Sequence, residues 1–302
     1  MNSPSSVALK PDIGRRTPLP ITAVVLTLNE EPNLAPCLAS LAGWTQSIVV
    51  VDSGSTDSTT DIARKYGAYV WEHPFESHAK QWAWALTRLP AVSDWILALD
   101  ADQRITAELR AELQDRFADN PGRLTGLDGL YIKRRQIFRG TWIRHGGYYP
   151  KYLLKLFRRD KVLLDEFDLV DHHFYVPGPT AKLQYDLIEE NHKEDDITFW
   201  IDKHNRYAVS LAKEQQRRAS SLASAPIRPA FFGSPDQQIL WLKAGWSLLP
   251  LYARPVLYFF YRYFVRLGFL DGKQGFVFHF MQGLWFRLLV DIKLDEGRNQ
   301  QK

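Results

Sequence analysis

The sequence predicts an α/β protein: a doubly wound, mostly parallel sheet with flanking helices, followed by a helical, aromatic-rich C-terminal region. Apolar, β-branched runs alternate with helical patterns between residues 21 and 102, and this alternation is typical of a parallel sheet. Seventeen of the chain's 40 aromatic residues fall between residues 231 and 290. The first observation predicts the sheet, and the second indicates that the last part of the chain forms a separate, aromatic-rich region.

Each element follows from its hydrophobic pattern. The predicted strands are ITAVVLTLN (21–29), SIVVVD (47–52), AYVWEHPF (68–75) and DWILALDAD (94–102). The predicted helices cover 30–44, 56–68, 78–89, 106–117 and 195–218, and the basic, aromatic stretch 129–159 has a strand-like pattern. We therefore predict a disordered leader over 1–19, a sheet domain over 20–218, a linker over 219–230 and a helical region over 231–302.

Composition narrows the classes of protein to which the chain can belong. It has 302 residues and is 45% hydrophobic, which is enough for a sizeable core. Its net charge of +4 is too small to indicate nucleic-acid binding by itself. The single cysteine, Cys37, excludes internal disulfides and fits a reducing compartment. The Pro- and Ser-rich N-terminal stretch lacks the apolar segment of a secretory signal.

Two aspartates, Asp100 and Asp102, close the fourth predicted strand. Because strand side chains alternate, residues two apart project from the same face, where two like charges repel each other. Carboxylate oxygens are suitable ligands for Mg²⁺ or Mn²⁺, and Mg²⁺ commonly takes one or two carboxylates together with substrate phosphates. The pair therefore predicts a divalent-metal site for a diphosphate. The alternative is a pair of exposed turn aspartates that cap the helix at 106.

Three segments resemble the inverting, family 2 nucleotide-sugar glycosyltransferases, which have the GT-A fold. They are VVLTLNEEPNLAPCL (24–38), IVVVDSGSTDST (48–59) and WILALDAD (95–102), and the resemblance covers about residues 20 to 215. More narrowly, HAKQWAWAL, RGTWIRHGGYYPKYLLKLFRR and WIDKHNRYA look like a subgroup that builds exopolysaccharide or lipopolysaccharide-core glycans. The resemblance implies a GT-A type sheet and metal-dependent transfer from a nucleotide-sugar, with a UDP-sugar favoured, to a lipid-linked glycan.

The resemblance also implies a donor site. Asp100 and Asp102 would hold the metal, Mg²⁺ or Mn²⁺. The nucleotide would contact Thr27, Asn29, Glu30, Asp52, Lys80, Gln81 and Asp100. This chain departs from the family pattern where Ser53 replaces an acid, Trp82 and Ala83 replace Arg-Asn, and Gln103 replaces Glu. A contact that relatives make is then lost or transferred to Lys80.

An inverting transfer needs a base that deprotonates the acceptor hydroxyl. In relatives this base is an acid well past the aspartate pair, and here the stretch LVDHHF (169–174) holds that place. The resemblance therefore implies Asp171 as the base, with His172 standing where Glu is common. His172, Glu166 and Asp168 are the alternatives, and Asp171 could instead fix a loop.

The segment RGTWIRHGGYYP (139–150) combines cationic, aromatic and glycine residues. We predict a loop over the donor or acceptor sugar, with aromatic rings stacked on the sugar. Its candidate contact residues are Arg139, Trp142, Arg144 and His145. The alternative is a turn with surface arginines.

Two further groups have two interpretations each. His192 is either a third metal ligand or a solvated histidine. One helical stretch either contacts phosphates or forms a solvated face, and its residues are Lys203, His204, Asn205 and Arg206.

The pattern of residues 231–302 is typical of helices that lie on a membrane without crossing it. The longest uncharged run, Gln274 to Phe286, has 13 residues, whereas a spanning helix needs about 20. Arg254, Arg262 and Arg266 fall on one side of a helical wheel beside a broad aromatic face, as in interfacial helices. We predict a peripheral protein at the cytoplasmic face of the bacterial inner membrane. Packing against the sheet domain and a dimer interface are the alternatives.

Two other functions fit parts of the sequence. A non-catalytic nucleotide- or lipid-binding scaffold with degenerate motifs fits the departures from the family pattern, which are Ser53, Trp82, Ala83, Gln103 and His172. A different phosphoryl or nucleotidyl transferase would need a glycine-rich phosphate loop after the first strand, where this chain has LNEEPN (28–33). The intact Asp-Ala-Asp segment favours the glycosyltransferase interpretation.

Overall fold

The computed structural model describes residues 17–89, 94–170, 172–220 and 226–299. Within these ranges the chain forms eleven strands and nine α-helices. The strands are β1 (Leu19–Thr27), β2 (Thr45–Asp52), β3 (Tyr69–Glu72), β4 (Trp95–Asp100), β5 (Gln103–Ile105), β6 (Gly129–Phe138), β7 (Thr141–Trp142), β8 (Lys151–Arg158), β9 (Leu163–Leu164), β10 (Phe174–Tyr175) and β11 (Thr180–Glu190). The helices are α1 (Glu31–Leu41), α2 (Thr59–Lys65), α3 (His78–Arg88), α4 (Ala107–Gln114), α5 (Ile197–Ser220), α6 (Pro235–Ser247), α7 (Ala253–Phe260), α8 (Gly272–Phe278) and α9 (Phe286–Asn299).

Nine of the described strands form one sheet, in the order β3-β2-β1-β4-β8-β6-β11-β5, with β7 paired to β6. The strands β3, β2, β1 and β4 are parallel, and β8 and β6 continue the sheet with antiparallel pairing. The register sets Thr27 beside Asp52 and Leu26 beside Asp100, so the carboxyl ends of β1, β2 and β4 meet at one edge. The predicted α/β fold with its first four strands is confirmed.

Different helices cover the two faces of the sheet. In α1, Leu34, Leu38 and Leu41 recur at helical spacing and pack in a buried core against one face. On the other face, Trp82 of α3 packs with Val24 and other buried strand residues. The two cores hold the carboxyl edge of the parallel strands in place from both sides.

Two predicted elements have different limits in the structure. The third strand, β3, ends at Glu72 rather than at residue 75, and Pro74, which has no N–H to donate, follows it. The long helix α5 begins at Ile197 and ends at Ser220, two residues later than predicted at each end. The basic, aromatic stretch 129–159 forms β6, β7 and β8, as its strand-like pattern indicates.

The C-terminal helices pack on the sheet domain through α5. A third core joins Phe138 of β6 and Trp200 of α5 to Phe278, Phe286 and Val290. The predicted domain limits stay predictions. Of the predicted linker, residues 219 and 220 belong to α5 and residues 221–225 lie outside the described residues. Of the predicted leader, residues 1–16 lie outside them, and β1 begins at Leu19.

The predicted stripe of arginines on the C-terminal helices is exposed only in part, since Arg266 is exposed whereas Arg254 and Arg262 turn inward. Arg254 is only 3% exposed, and its Nε lies 2.8 Å from Oδ1 of Asp291. The Arg262 guanidinium lies 3.9 Å from the centre of the Tyr148 ring. A buried charge is costly unless it is paired, so these arginines turn towards partners inside the protein. The outward side of these helices is therefore mainly aromatic and aliphatic.

Candidate functional site

A cleft of about 660 Å³ opens at the carboxyl edge of the parallel strands. Ligands of open α/β sheets bind at this edge. Seven of the residues predicted for the donor site and the base line the cleft: Thr27, Asn29, Glu30, Gln81, Asp100, Asp102 and His172. The fold thus brings together side chains that lie as far apart in sequence as the first loop and residue 172.

Asp100 ends β4 and carries its carboxylate into the cleft. Its Oδ2 accepts a hydrogen bond from Lys155 Nζ at 3.0 Å, and its Oδ1 lies 3.8 Å from His172 Nε2. Burial alone would raise the pKa of this carboxyl, but the nearby positive charge of Lys155 and then that of His172 hold the pKa well below its usual range. Asp100 is therefore ionised and already partly neutralised by the protein.

Asp102 has the opposite electrostatic environment. Its Oδ2 accepts a hydrogen bond from Asn191 Nδ2 at 3.1 Å. Burial raises its pKa well above the usual value, and the neighbouring carboxylates of Glu189 and Asp100 raise it further. A bound cation would offset this repulsion, so the chemistry of the site fits a divalent metal held by oxygen ligands.

The protein supplies only part of a metal coordination shell here. Within residues 17–89, 94–170, 172–220 and 226–299, no group of three or more His, Cys, Asp or Glu side chains is arranged to hold a metal ion. Asp100 and Asp102 are the two carboxylates that could do so together with substrate phosphates, as is common for Mg²⁺. His192 is not a third ligand in this arrangement, since its Nδ1 lies 3.7 Å from Asp195 Oδ2 and it does not line the cleft.

The loop after β1 is held against the loop after β2. Asn29, with φ of 53°, accepts a hydrogen bond from the backbone of Thr56 at 2.8 Å, and Glu30 pairs with Lys193 at 2.6 Å. Asp52 is buried below this loop and accepts hydrogen bonds from Thr27 Oγ1 at 2.8 Å and Ser55 Oγ at 2.6 Å. Asp52 does not line the cleft, and its hydrogen bonds to Thr27 and Ser55 position the loop instead. Its predicted contact with a nucleotide stays a prediction.

The two predicted residues of α3 lie in different places. Gln81 is buried, lines the cleft and donates from Nε2 to Ser53 Oγ at 3.1 Å. Lys80 is exposed, pairs with Glu76 and does not line the cleft. Trp82, which stands at a departure from the family pattern, is buried and packs edge-to-face on Phe174. Trp82 therefore supports the wall of the cleft.

The predicted base, Asp171, lies outside the described residues, so its role stays a prediction. The alternative His172 lines the cleft, with its ring 5.5 Å from that of Trp82. Asp168 is buried away from the lining and accepts a hydrogen bond from Arg218 Nη2 at 2.8 Å. Glu166 is exposed and does not line the cleft. The geometry therefore disfavours Glu166 and Asp168 as bases.

The predicted sugar loop lies at the junction with the C-terminal helices. None of its four candidate residues lines the cleft: Arg139, Trp142, Arg144 and His145. The His145 ring lies 2.6 Å from Asp271 Oδ1, and its backbone N–H donates to Oδ2 at 2.9 Å. The Arg144 guanidinium lies 4.7 Å from the centre of the Trp142 ring. His145 therefore helps to fix the C-terminal region, whereas Arg139 and Arg144 are exposed, and the predicted contact of this segment with a sugar stays a prediction.

Gly146 shows how closely this junction is packed. Its φ is +64°, and a Cβ atom there would lie 2.0 Å from Cε1 of His279. A glycine is required by both the backbone conformation and the neighbouring ring.

The predicted phosphate-contacting stretch of α5 divides between two environments. Lys203 and Arg206 line the cleft, and Lys203 also pairs with Glu194 at 2.6 Å. His204 is buried and stacks on Trp200, while Asn205 is exposed. Because residues 203 and 206 are one helical turn apart, they share the face that looks into the cleft.

Several cleft residues were missed by the sequence reasoning: Lys155, Glu189, Asn191 and Asp236. The alternation in KYLLKLFRR (151–159) puts Lys151, Leu153 and Lys155 on one face of a strand, and that signal could have identified Lys155. Glu189 and Asn191, at the end of β11, reach the cleft because of the order of strands in the sheet. Strand order cannot be predicted from a local sequence pattern. Asp236 comes from the region that we predicted to serve a membrane.

The family model described as Glycosyl transferase family 2 matches residues 22–175 of the chain. This range begins within β1, ends with β10 and contains both cleft aspartates.

Curated relatives match shorter parts of the chain. LpsC of Rhizobium meliloti, a lipopolysaccharide core biosynthesis glycosyltransferase, is 32% identical over 153 residues, which are 47% of this chain and 52% of that protein. An uncharacterized glycosyltransferase of Rickettsia conorii is 37% identical over 100 residues, which are 33% of this chain and 35% of that protein. The chain spans about half or less of the length of these relatives.

A solved structure supports the fold over nearly the whole chain. The mannosyltransferase PcManGT from Pyrobaculum calidifontis, in complex with GDP-Man and Mn²⁺, aligns with a TM-score of 0.53. The alignment covers 97% of this chain and 90% of that chain, at 16% identity. At this identity the likeness shows the fold alone, and it confirms the predicted GT-A type architecture.

Proposed function

Because the chain belongs to glycosyl transferase family 2, we propose that it is an inverting glycosyltransferase of bacterial exopolysaccharide or lipopolysaccharide synthesis. It moves a sugar from a nucleotide-sugar, with a UDP-sugar favoured, to a lipid-linked glycan. The observation that carries the proposal is the cleft at the carboxyl edge of the sheet, into which Asp100 and Asp102 project. The likeness to LpsC, a lipopolysaccharide core biosynthesis glycosyltransferase, supports the class of acceptor.

Asp100 and Asp102 would hold a divalent cation, Mg²⁺ or Mn²⁺, which neutralises charge on the leaving diphosphate when bound. The raised pKa of Asp102, caused by burial and then by the neighbouring carboxylates, supports this role, because a bound cation would stabilise the ionised carboxylate. PcManGT is described in complex with Mn²⁺, which agrees with the proposal.

Other residues would bind the nucleotide, bring positive charge to the diphosphate and accept the proton of the acceptor hydroxyl. Thr27, Asn29, Glu30 and Gln81 line the end of the cleft formed by β1 and α3, where we place the nucleotide. Lys203 and Arg206 bring positive charge towards the diphosphate. Asp171 takes the proton from the attacking acceptor hydroxyl, and His172 is the alternative for this step.

Within the described residues, no helix is long and apolar enough to cross a membrane.

We further propose that the outer side of the C-terminal helices binds the cytoplasmic face of the inner membrane. Five phenylalanine side chains, each 40–54% exposed, form what we call the aromatic patch: Phe260, Phe264, Phe269, Phe276 and Phe280. Phe260 and Phe264 are in ring contact at 5.3 Å and Phe276 and Phe280 at 6.0 Å, and the rings of Phe259 and Tyr263 connect these pairs with each other and with Phe269. Large contiguous apolar patches are uncommon on soluble monomers, and aromatic residues favour a bilayer interface.

Thermal stabilisation by nucleotide-sugars tests the donor proposal. UDP-, GDP- and dTDP-sugars are added with Mn²⁺, and a ligand at 100 times its Kd stabilises the native state by about 2.7 kcal/mol. We expect a UDP-sugar to raise Tm most, and the shift to vanish in EDTA. The matched control is Asp102→Asn, which should show no shift with the same sugar. Absence of a shift with all three donor classes would contradict the proposal and favour a protein without a nucleotide site.

A further inference from the structure

Helix α6 of the C-terminal region brings a carboxylate to the cleft. Its start is fixed by Pro235 at the first position and by a capping box in which Ser234 and Gln237 exchange hydrogen bonds. Asp236 in this first turn is 7% exposed and lines both the cleft and a neighbouring cavity of about 130 Å³. The cleft is therefore completed by a residue from outside the segment that the family model matches.

Only one of the two carboxylate oxygens of Asp236 accepts a hydrogen bond from a described residue. Its Oδ2 accepts a hydrogen bond from the hydroxyl of Tyr131 on β6 at 2.6 Å. Among the described residues, no donor hydrogen-bonds to Oδ1. One oxygen therefore anchors the side chain to the sheet, and the other is available to a ligand in the cleft.

Sheet order places Asp236 on the side of the cleft away from the nucleotide. The residues assigned to the nucleotide follow β1 or belong to α3, and the aspartate pair follows β4. Tyr131, the partner of Asp236, lies on β6, which is two strands beyond β4 in the direction opposite to β1. Neighbouring strands are about 4.8 Å apart, so the anchor lies roughly 10 Å across the sheet from the aspartate pair. A diphosphate at the pair would leave this side for the acceptor.

The second carboxylate oxygen of Asp236 suits a ligand that donates hydrogen bonds. Burial raises the pKa of its carboxyl, whereas the positive charges of His173, Lys243 and Lys151 act to lower it. His173 and Lys151 also line the cleft. A carboxylate with a free oxygen accepts hydrogen bonds strongly, and sugar hydroxyls are donors of the matching kind.

We propose that Asp236 is a specificity-determining residue that accepts a hydrogen bond from a hydroxyl of the acceptor glycan. The proposal rests on the glycosyltransferase function given above and names the residue that reads the acceptor. The same helix exposes Trp241 and Leu242 on its outer side. Helix α6 thus carries both the cleft carboxylate and exposed apolar side chains that lie outside the aromatic patch.

A purely structural role for Asp236 makes a different prediction. If the carboxylate only anchors α6 through Tyr131, loss of the anchoring hydroxyl in Tyr131→Phe should impair the protein at least as much as Asp236→Asn. Tyr131→Phe deletes the anchoring hydroxyl and keeps the carboxylate. Asp236→Asn removes the charge but retains an amide oxygen that can still accept from Tyr131. The pair of variants therefore separates acceptor recognition from anchoring.

The test uses the full-length protein with a nucleotide-sugar selected by thermal shift and, as acceptor, a purified lipopolysaccharide with a truncated core. We expect Asp236→Asn to raise the acceptor KM about 10- to 100-fold, the range for a lost hydrogen bond to a charged group. The donor KM should stay within about twofold, since the nucleotide lies elsewhere in the cleft. Tyr131→Phe should change the acceptor KM by less than about threefold.

Equal effects of the two variants on the acceptor KM, or a rise in the donor KM alone, would overturn the inference and leave the glycosyltransferase function standing. An unchanged acceptor KM in Asp236→Asn would also overturn it. If the wild-type protein transfers no sugar to this acceptor, the proposed function fails, and the inference fails with it. The Tm of each variant, measured with and without donor, shows that the compared proteins are folded.

Discussion

The sheet domain and the C-terminal helices differ in how far their large aromatic side chains are buried. In the sheet domain, Trp44 and Trp82 are almost completely buried and fill the cores on the two sides of the sheet. In the C-terminal helices, Phe278 and Phe286 pack inward against α5, while the aromatic patch stays about half exposed. Packing on the sheet domain therefore accounts for the aromatic residues on the inner side of these helices. It does not account for the exposed aromatic residues on their outer side.

Charged side chains also have different surroundings in the two regions. In the cleft, charged groups crowd together at the edge where a ligand would enter, with Asp100 and Asp102 at the centre. In the C-terminal region, Arg254 and Asp291 neutralise each other inside the protein. Charge is thus concentrated in the cleft, whereas the outer side of the C-terminal helices is mainly apolar and exposes only single charged side chains such as Arg266 and Lys273.

Asp102→Asn should have the largest effect on the cleft. We expect sugar transfer to fall by about 10³-fold or more, as when one preorganised electrostatic contact is removed from a transition state. The Tm should not fall, because the Asp102 carboxylate is crowded by Asp100 and Glu189. The matched control is Asp94→Asn, the same change just before β4, at the opposite end of that strand. Comparable losses in the two variants would show that the aspartate pair has no special role.

Asp171→Asn should lower kcat by about 10²- to 10⁴-fold, since a positioned base contributes that much. Donor affinity, measured by thermal shift, should be nearly unchanged. Glu166→Gln is the control, because Glu166 is exposed and does not line the cleft. A normal kcat in Asp171→Asn would transfer the role to His172.

The double variant Phe260→Ser/Phe264→Ser should weaken binding to anionic liposomes about 100-fold. Two half-exposed phenylalanines that become buried in the bilayer interface contribute roughly 1 to 1.5 kcal/mol each. Flotation at low salt measures the effect. Tyr69→Ser is the control, since Tyr69 is 64% exposed on β3 and lies outside the patch. If the wild-type protein does not float with liposomes, or if the double variant floats equally well, the membrane assignment is wrong.

The junction between the two regions should respond to pH through His279. Burial, and then the nearby charge of Arg262, lowers the pKa of His279 to about 4. An unfolded histidine titrates near 6.5, so the unfolded chain binds more protons below that pH, and stability falls as pH decreases from about 6.5 towards 4. At pH 5 this residue alone costs about 2 kcal/mol.

Urea unfolding of the wild type and of His279→Gln at pH 7.5 and pH 5 measures this effect. The free-energy difference between the two proteins should shift by about 2 kcal/mol in favour of the variant at pH 5. A difference that does not change with pH would contradict the assigned pKa of His279.

The first half of the fold was predictable because its signals are local. The apolar runs that became β1, β2 and β4 and the spacing of Leu34 and Leu38 in α1 are visible within short windows of sequence. The convergence of Asp100 with the loop after β1 followed from the rule that parallel strands end at the same edge.

The rest depends on pairs that are distant in sequence. Lys155 meets Asp100 only because β8 lies beside β4, and Arg254 is withdrawn from the surface only because Asp291 lies 37 residues further along the chain. The segment 139–145 looked like a sugar loop because its residue types suit that role, yet Asp271 holds His145 at the junction. Residue types alone did not reveal which surface these side chains would face.

The most direct test of the account is the transfer of a radiolabelled sugar from the selected nucleotide-sugar to truncated-core lipopolysaccharide in anionic liposomes. With wild-type protein and Mn²⁺, the account predicts label in the lipid fraction, and it predicts at least a 100-fold loss in EDTA. Full transfer in EDTA would contradict the role of the aspartate pair. No transfer from any UDP-, GDP- or dTDP-sugar would contradict the proposal that this cleft moves a sugar to a lipid-linked glycan.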